Sequence, residues 1–281
     1  MTAVGNPAAN CATGDSEGQG GVTDWNVEWA AAVLAAAEAD RADRGPVTDE
    51  WPALDVDTAY RVQEEVLCRK VEDGQHIVGV KLGLTSRAKQ QRMAIDSPLT
   101  GWLTDRMALP AGAPLATGEL IHPRVEPEIV FVLGERLAGP GITAARAMEA
   151  VSHVYAGLEV IDSRYTDFKF TLPDVVADNA SSARFVVGGV ARKPDELDLA
   201  LEACLLDVDG EVVDSATGAA VQGHPAEALA LAANTLAKRR VALESGWVVL
   251  TGGMTDAVFA HPGSRIAAHF SNLGSVALGC E

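Results

Sequence analysis

The sequence predicts an α+β fold, a mixed sheet or barrel carrying a helical cap at its N-terminal end. Three observations lead there. Helical periodicity dominates only as far as Gly74 and returns in two later segments. Beyond Gly74 the texture changes to short apolar runs separated by glycine, which read as strands. Strands and helices do not alternate regularly and no segment repeats, which argues against a parallel βαβ architecture.

Taken in order, residues 1–22 are mostly Gly, Ala, Ser and Asn with almost nothing large and apolar, so they are expected to be a disordered tail. Asp24 is a candidate N-cap for a helix with Trp25, Trp29, Val33 and Leu34 near helical spacing, stopped by Gly45-Pro46. A second helix begins near Asp57, carries Tyr60, Val62, Val66 and Leu67, and ends at Gly74. Residues 23–75 thus form the cap, and residues 76–281 the catalytic domain. Strands are expected at Ile77–Leu84, Val125–Leu133, Tyr155–Ile161, Phe185–Val190, Trp247–Thr251 and Arg265–Phe270. Asp209-Gly210 lies between apolar runs within Leu201–Val213, a hairpin signal because tight turns of this kind need positive φ. Helices are expected at Thr143–Val151 and at Pro225–Arg240, where Pro suits the first helical position.

Composition limits the function. The chain has 281 residues, 48% of them hydrophobic and 22% charged, which is enough apolar material for a real core. Its 22 Lys+Arg against 39 Asp+Glu leave a formal charge of −17, which excludes nucleic acid and an anionic membrane surface as partners. Residues 1–60 hold 11 acids and 2 arginines, more than half of that net charge, so the catalytic part is far less acidic than the total. The cysteines at 11, 68, 204 and 280 show no metal-ligand spacing and suggest no disulfide framework, which points to a reducing cytoplasm. The longest apolar run, Trp29–Ala37, is far short of the roughly 18 residues of a membrane span.

Chemistry is concentrated in a few places. In Arg124-Val125-Glu126-Pro127-Glu128-Ile129, side-chain alternation puts Glu126 and Glu128 on one face of a strand, about 6–7 Å apart. Such a pair is either a solvated face or half of a cation site. Glu159, in the apolar run Gly157–Ile161, is a third acid that would be costly to bury unpaired. Three convergent carboxylates suit a hard cation such as Mg2+ or Mn2+. Lys81 is a cation in an apolar, Gly-rich strand, where its stem could also snorkel to solvent. Thr251-Gly252-Gly253 follows a strand and could present backbone N–H groups to an anion.

In order along the chain, Gly79–Ser86, Arg124–Phe131, Leu158–Tyr165, Val176–Ser182, Gly223-His224-Pro225, Leu250–Thr255 and Leu273–Val276 resemble the 2-oxopent-4-enoate hydratase and 4-oxalocrotonate decarboxylase branch of the fumarylacetoacetate hydrolase superfamily. The resemblance spans roughly residues 50–280 and implies a fumarylacetoacetate-hydrolase-like mixed β-roll with the metal site in its mouth. It implies Glu126, Glu128 and Glu159 as ligands of Mg2+ or Mn2+, Lys81 as the active-site lysine, and a pyruvate-like substrate chelated through its carboxylate and 2-oxo oxygen. Lys169 and Arg164 are candidates for a substrate carboxylate, and Ser181 for a hydrogen bond to the substrate.

Within that branch, hydratases carry an acid just after the Pro of an xPDFG-like segment. Here Ser97-Pro98-Leu99-Thr100-Gly101 places Leu99 there, and leucine cannot move the protons that hydration requires. The resemblance at Val160–Tyr165, Phe168–Phe170 and Thr251–Thr255 favours decarboxylation of 2-oxo-3-hexenedioate (4-oxalocrotonate) or a close analogue to 2-hydroxypenta-2,4-dienoate. The competing readings are the hydratase, hydrolysis of an acylpyruvate, for which no His-Glu pair is evident near His76, and a non-catalytic structural partner of a hydratase. An oligomer and a complex with a pathway hydratase are also expected.

Overall fold

The computed structural model describes residues 23–86, 90–91 and 98–281. The tail assigned to residues 1–22 lies outside them. Helix α1 (Thr23–Asp40), a short α2 (Val47–Glu50) and α3 (Val56–Glu72) precede strands β1 (Ile77–Gly83), β2 (Leu99–Thr104) and β3 (Arg124–Leu133). Then come α4 (Ala144–Glu149), β4 (Val151–Ile161), α5 (Leu172–Ala177), β5 (Ser182–Val187), β6 (Ala203–Val208), β7 (Glu211–Thr217) and α6 (Pro225–Lys238). Strands β8 (Val248–Leu250), β9 (Val258–Phe259), β10 (Arg265–Phe270) and β11 (Gly274–Gly279) complete the chain.

The larger sheet runs β2-β1-β8-β3-β4-β5, with β9 beside the start of β3, and a second sheet runs β11-β10-β6-β7. Strand β1 is parallel to β8 and antiparallel to β2, so the larger sheet is mixed. Ile129 and Leu158 of the larger sheet, Leu206 and Ile266 of the second, and Leu229 of α6 bury their side chains in one apolar core. This is the mixed β-roll with N-terminal helices that the motifs implied.

Local chemistry accounts for the elements. Asp55, two residues before the expected start of α3, caps that helix by accepting from the Thr58 N–H at 2.7 Å. His224 caps α6: its Nδ1 accepts from the Ala226 N–H at 3.0 Å, so Gly223-His224-Pro225 is a helix start. Asp209 and Gly210 take φ of 55° and 91°, the left-handed pair that the hairpin signal required.

The cap departs from its expected face. Val27, Ala30, Ala31 and Leu34 of α1 are buried, at a spacing of three and four, while Trp29 and Val33 are only half-buried. Alanine lets α1 approach α3 closely, and Trp29 lies under the Arg44 guanidinium. Strands β2 and β11 and helix α5 were not foreseen. Each is short, and β2 is buried throughout, so neither alternation nor helical period marks it. Cys204 and Cys280 are free and buried, while Cys68 is disulfide-bonded, where no disulfide framework was expected. No helix among the described residues is long and apolar enough to cross a membrane.

The cap shares a core with the sheet. Leu34, Val47 and Tyr60 pack with Leu99 of β2, Tyr165, and Val175 and Val176 of α5. Gln63 of α3, buried in this contact, donates its Nε2 to the carbonyls of Thr100 at 3.0 Å and Val176 at 2.9 Å. Gln63→Met, which keeps the shape but removes both donors, is expected to cost about 1–3 kcal/mol in urea unfolding with an unchanged m-value. An unchanged midpoint would show that this side chain does not tie the cap to the sheet.

Candidate active site

Strand pairing assembles the acids. Glu126 and Glu128 project from one face of β3, and the antiparallel register sets Glu159 of β4 directly opposite Glu126. Each of the three carboxylates offers an oxygen within 4.8 Å of the others. Glu128 and Glu159 are completely buried and Glu126 is half-buried. Burial, followed by repulsion from Glu159 and Glu126, holds the Glu128 carboxyl well above the usual carboxylate range.

Lys81 of β1 answers this charge. Its Nζ lies 3.2 Å from Glu159 Oε2 and donates to the Ala180 carbonyl at 2.9 Å. Burial acts to lower its pKa, but Glu159, Glu126 and Glu128 together outweigh that and raise it, so the side chain stays an ammonium ion. One cation does not satisfy the cluster. Glu128 Oε1 and Glu159 Oε1 are buried without a hydrogen-bond partner, an unfavourable state that a divalent cation would relieve. The donor set, all hard carboxylate oxygen, fits Mg2+ or Mn2+.

The segment after β8 closes around the acids. Gly252 N–H donates to Glu128 Oε2 at 2.6 Å, so this turn addresses a protein carboxylate. Gly252 has φ +114°, and a side chain there would collide with Thr85. At Gly253 a Cβ would sit 2.5 Å from Glu126 Oε2. Position 252 therefore needs glycine for the loop to reach the site, and a side chain at 253 would displace the Glu126 carboxylate. The same crossing accommodates Pro127 in mid-strand. Its carbonyl accepts from the Met254 N–H at 3.0 Å, so the missing N–H faces this loop and leaves the ladder to β4 intact.

A cavity opens beside the cluster. Lys81, Glu126, Gly253 and Ser181 line it together with the apolar side chains of Leu84, Leu99, Phe170 and Val175. Lys81, the three glutamates and Ser181 are thus brought together. Arg164 and Lys169 do not line this cavity. Arg164 is buried and ion-paired to Asp178, donating also to the Asp178 carbonyl at 2.6 Å. Lys169 is exposed and pairs with Asp167 at 3.0 Å. His76 is exposed and paired with Asp105 at 3.1 Å.

Asn179, Ala180 and Ser181 take φ of 51°, 51° and 59°, a strained left-handed run that supplies the Lys81 acceptor. Asp178 holds it from behind, accepting from Ser181 Oγ at 3.3 Å, while the Asn179 side chain bonds both the N–H and the carbonyl of Trp102. The positions missed from sequence are the apolar lining residues Phe170 and Val175 and the close-approach glycines; the Gly-Gly pair was visible, but its carboxylate partner was not.

Fold and site together define an enzyme scaffold with a carboxylate cluster able to hold a divalent metal on interior strands of a mixed β-roll. The chain belongs to the fumarylacetoacetate hydrolase family, whose model, described as Fumarylacetoacetate (FAA) hydrolase C-terminal, matches residues 66–278. It is 42% identical over 240 residues, covering 85% of this chain and 91% of the relative, to 4-oxalocrotonate decarboxylase of Pseudomonas putida. It is 38% identical over 235 residues to 2-hydroxyhexa-2,4-dienoate hydratase of Comamonas testosteroni, covering 83% and 89% of the two chains. The solved structure of 4-oxalocrotonate decarboxylase from Pseudomonas putida G7, complexed with magnesium and adipate, superposes with a TM-score of 0.89 at 41% identity, over 91% of this chain and 97% of that one.

The elevated Glu128 pKa has a direct consequence. A metal must displace its proton, so Mg2+ affinity should rise with pH, by up to about tenfold per unit while one proton is released, and calorimetry should detect that proton through buffers of different ionisation enthalpy. Glu126→Gln is expected to weaken Mg2+ binding by about tenfold or more with the fold retained. Wild-type affinity in this variant would remove Glu126 from the metal site.

Proposed function

We propose that the protein catalyses decarboxylation of 2-oxo-3-hexenedioate (4-oxalocrotonate) or a close analogue to 2-hydroxypenta-2,4-dienoate, dependent on Mg2+ or Mn2+, in a meta-cleavage type of aromatic catabolism. The observation that carries this reading is the lining of the cavity: Lys81 and Glu126 are its charged side chains among the described residues, and Leu99, with Leu84, Phe170 and Val175, contributes apolar surface that offers no further acid or base. Hydration of a diene needs a group there to move a proton; departure of CO2 does not. Similarity to decarboxylases at 42% identity supports the same choice over the hydratases.

Loss of CO2 from C6 leaves an electron pair at C5, conjugated through C4=C3 to the C2 carbonyl, so negative charge gathers on the 2-oxo oxygen. A divalent cation held by Glu126, Glu128 and Glu159 would supply Lewis-acid stabilisation of that charge. Lys81, kept cationic by the same glutamates, adds a fixed positive charge in a wall of low dielectric. Ser181 offers a hydroxyl from a turn whose geometry is set before substrate arrives. The apolar part of the lining gives the departing carboxylate no ion pair, so its ground state gains nothing that the transition state would lose.

An oligomer, a complex with a hydratase that takes the dienoate onward, and a cytoplasmic setting belong to the same reading. Incubation of the purified protein and Mg2+ with 2-oxo-3-hexenedioate should release CO2 and give a product lighter by its mass. Absence of CO2 release together with addition of water to 2-hydroxypenta-2,4-dienoate would establish the hydratase instead. Lys81→Met should lower kcat by roughly 10²-fold or more, with a smaller effect on Mg2+ affinity; an unchanged kcat would exclude its electrostatic role.

A further inference from the structure

Arg124 opens β3 two residues before Glu126 and shares its face of the strand, about 6–7 Å away. Its guanidinium lies 4.1 Å from the ring centroid of Phe168 and 4.4 Å from that of Phe259. Arg124 is not itself one of the residues lining the cavity, but three of its immediate neighbours are: Glu126 on the same strand, its cross-strand partner Ile161, and Phe168 beneath its guanidinium. Aromatic stacking uses the two faces of a guanidinium and leaves its in-plane N–H donors available. One of these, Nε, is buried without a hydrogen-bond partner. Other cations nearby are already engaged, Lys81 with Glu159, Arg164 with Asp178 and Lys169 with Asp167.

The rim that holds Arg124 is built with strain. Asp167 and Phe168 both take φ of 56°, and the Phe168 ring contacts both the Arg124 guanidinium and the His122 ring, the latter at 4.8 Å and tilted by 36°. A guanidinium held within 4.4 Å of two ring centroids at the border of the cavity, with its Nε donor unpartnered, is suited to receive a carboxylate.

We infer that Arg124 is a substrate-binding residue that receives the C1 carboxylate of the 2-oxo acid, the one retained in the reaction. This rests on the proposal that a 2-oxo acid occupies the metal site. Two considerations select C1 over the departing carboxylate. Arg124 adjoins Glu126, one of the three clustered carboxylates that would hold the metal. A bidentate grip on the leaving carboxylate would also stabilise the ground state and oppose its loss.

Pyruvate carries the retained head of the substrate without the departing group, so its binding separates the alternatives and needs no turnover. Titration of pyruvate into the Mg2+-loaded protein should show affinity weakened about tenfold or more in Arg124→Met, and by less in Arg124→Lys, which keeps the charge but loses the planar fork. Mg2+ binding without pyruvate should not weaken, and KM for the diacid should rise by a similar factor to the pyruvate Kd, with a smaller change in kcat. Unchanged pyruvate affinity in folded Arg124→Lys and Arg124→Met overturns the inference. So does a rise in diacid KM alone, which would place Arg124 on the other carboxylate, and so does failure of the wild-type protein to bind pyruvate with Mg2+. Pyruvate binding that depends on Arg124 in a protein that releases no CO2 would refute the decarboxylase reading and leave this one standing.

Discussion

Three carboxylates crowded into a largely apolar pocket repel one another, and the architecture around the site is organised by that repulsion. Two of them are completely buried, where water cannot screen the charge. The β3–β4 register creates the problem by aligning Glu126 with Glu159 and leaving Glu128 on the same face. Lys81 offsets part of the charge, the Gly252 N–H offsets a little more, and buried carboxylate oxygens still lack a partner. A divalent cation held among the three carboxylates would relieve that repulsion. That is the physical link between a strand register and a metal-dependent reaction.

The surrounding walls follow from the need to keep this cluster rigid. On one side the Thr251–Met254 crossing packs backbone against the carboxylates, with glycine required at 252 by its positive φ and a side chain at 253 excluded by the Glu126 carboxylate as it stands. On the other, Asn179–Ser181 hold a left-handed backbone that costs conformational energy and persists because Asp178, paired with Arg164, and the Asn179 side chain fix it from behind. The helical cap completes this second wall, since Tyr60 and Val62 pack in the same cluster as Leu99 and Val175. The cap is therefore part of the framework that shapes the cavity.

Much of this was legible in the sequence where one side chain and its neighbours sufficed. Alternation in Glu126-Pro127-Glu128 placed both acids on one face, Asp209-Gly210 marked its hairpin, and Pro225 marked a helix start. Contacts between distant segments were not legible. Arg164 and Lys169 lie five residues apart in a polar stretch, yet one turns inward to Asp178 and the other outward to solvent. Trp29 looked like part of the packing face of α1, yet it is only half-buried while Ala30 and Ala31 are buried, because helix proximity is decided by what lies opposite.

By itself, the sequence determined which chemistry was available: three acids and a lysine in apolar strands, leucine at position 99, and turns that only certain residues can make. These follow from local rules, the two-residue period of a strand and the steric limits on φ. Only the tertiary structure decided which of those groups meet. Convergence of Glu159 on Glu126, the reach of Gly252 to Glu128, the loss of Arg164 to a buried ion pair and the contact of Arg124 with Phe168 and Phe259 each join segments far apart in the chain. Such contacts depend on strand register and packing, which minimise the free energy of the whole molecule and are not properties of any one segment.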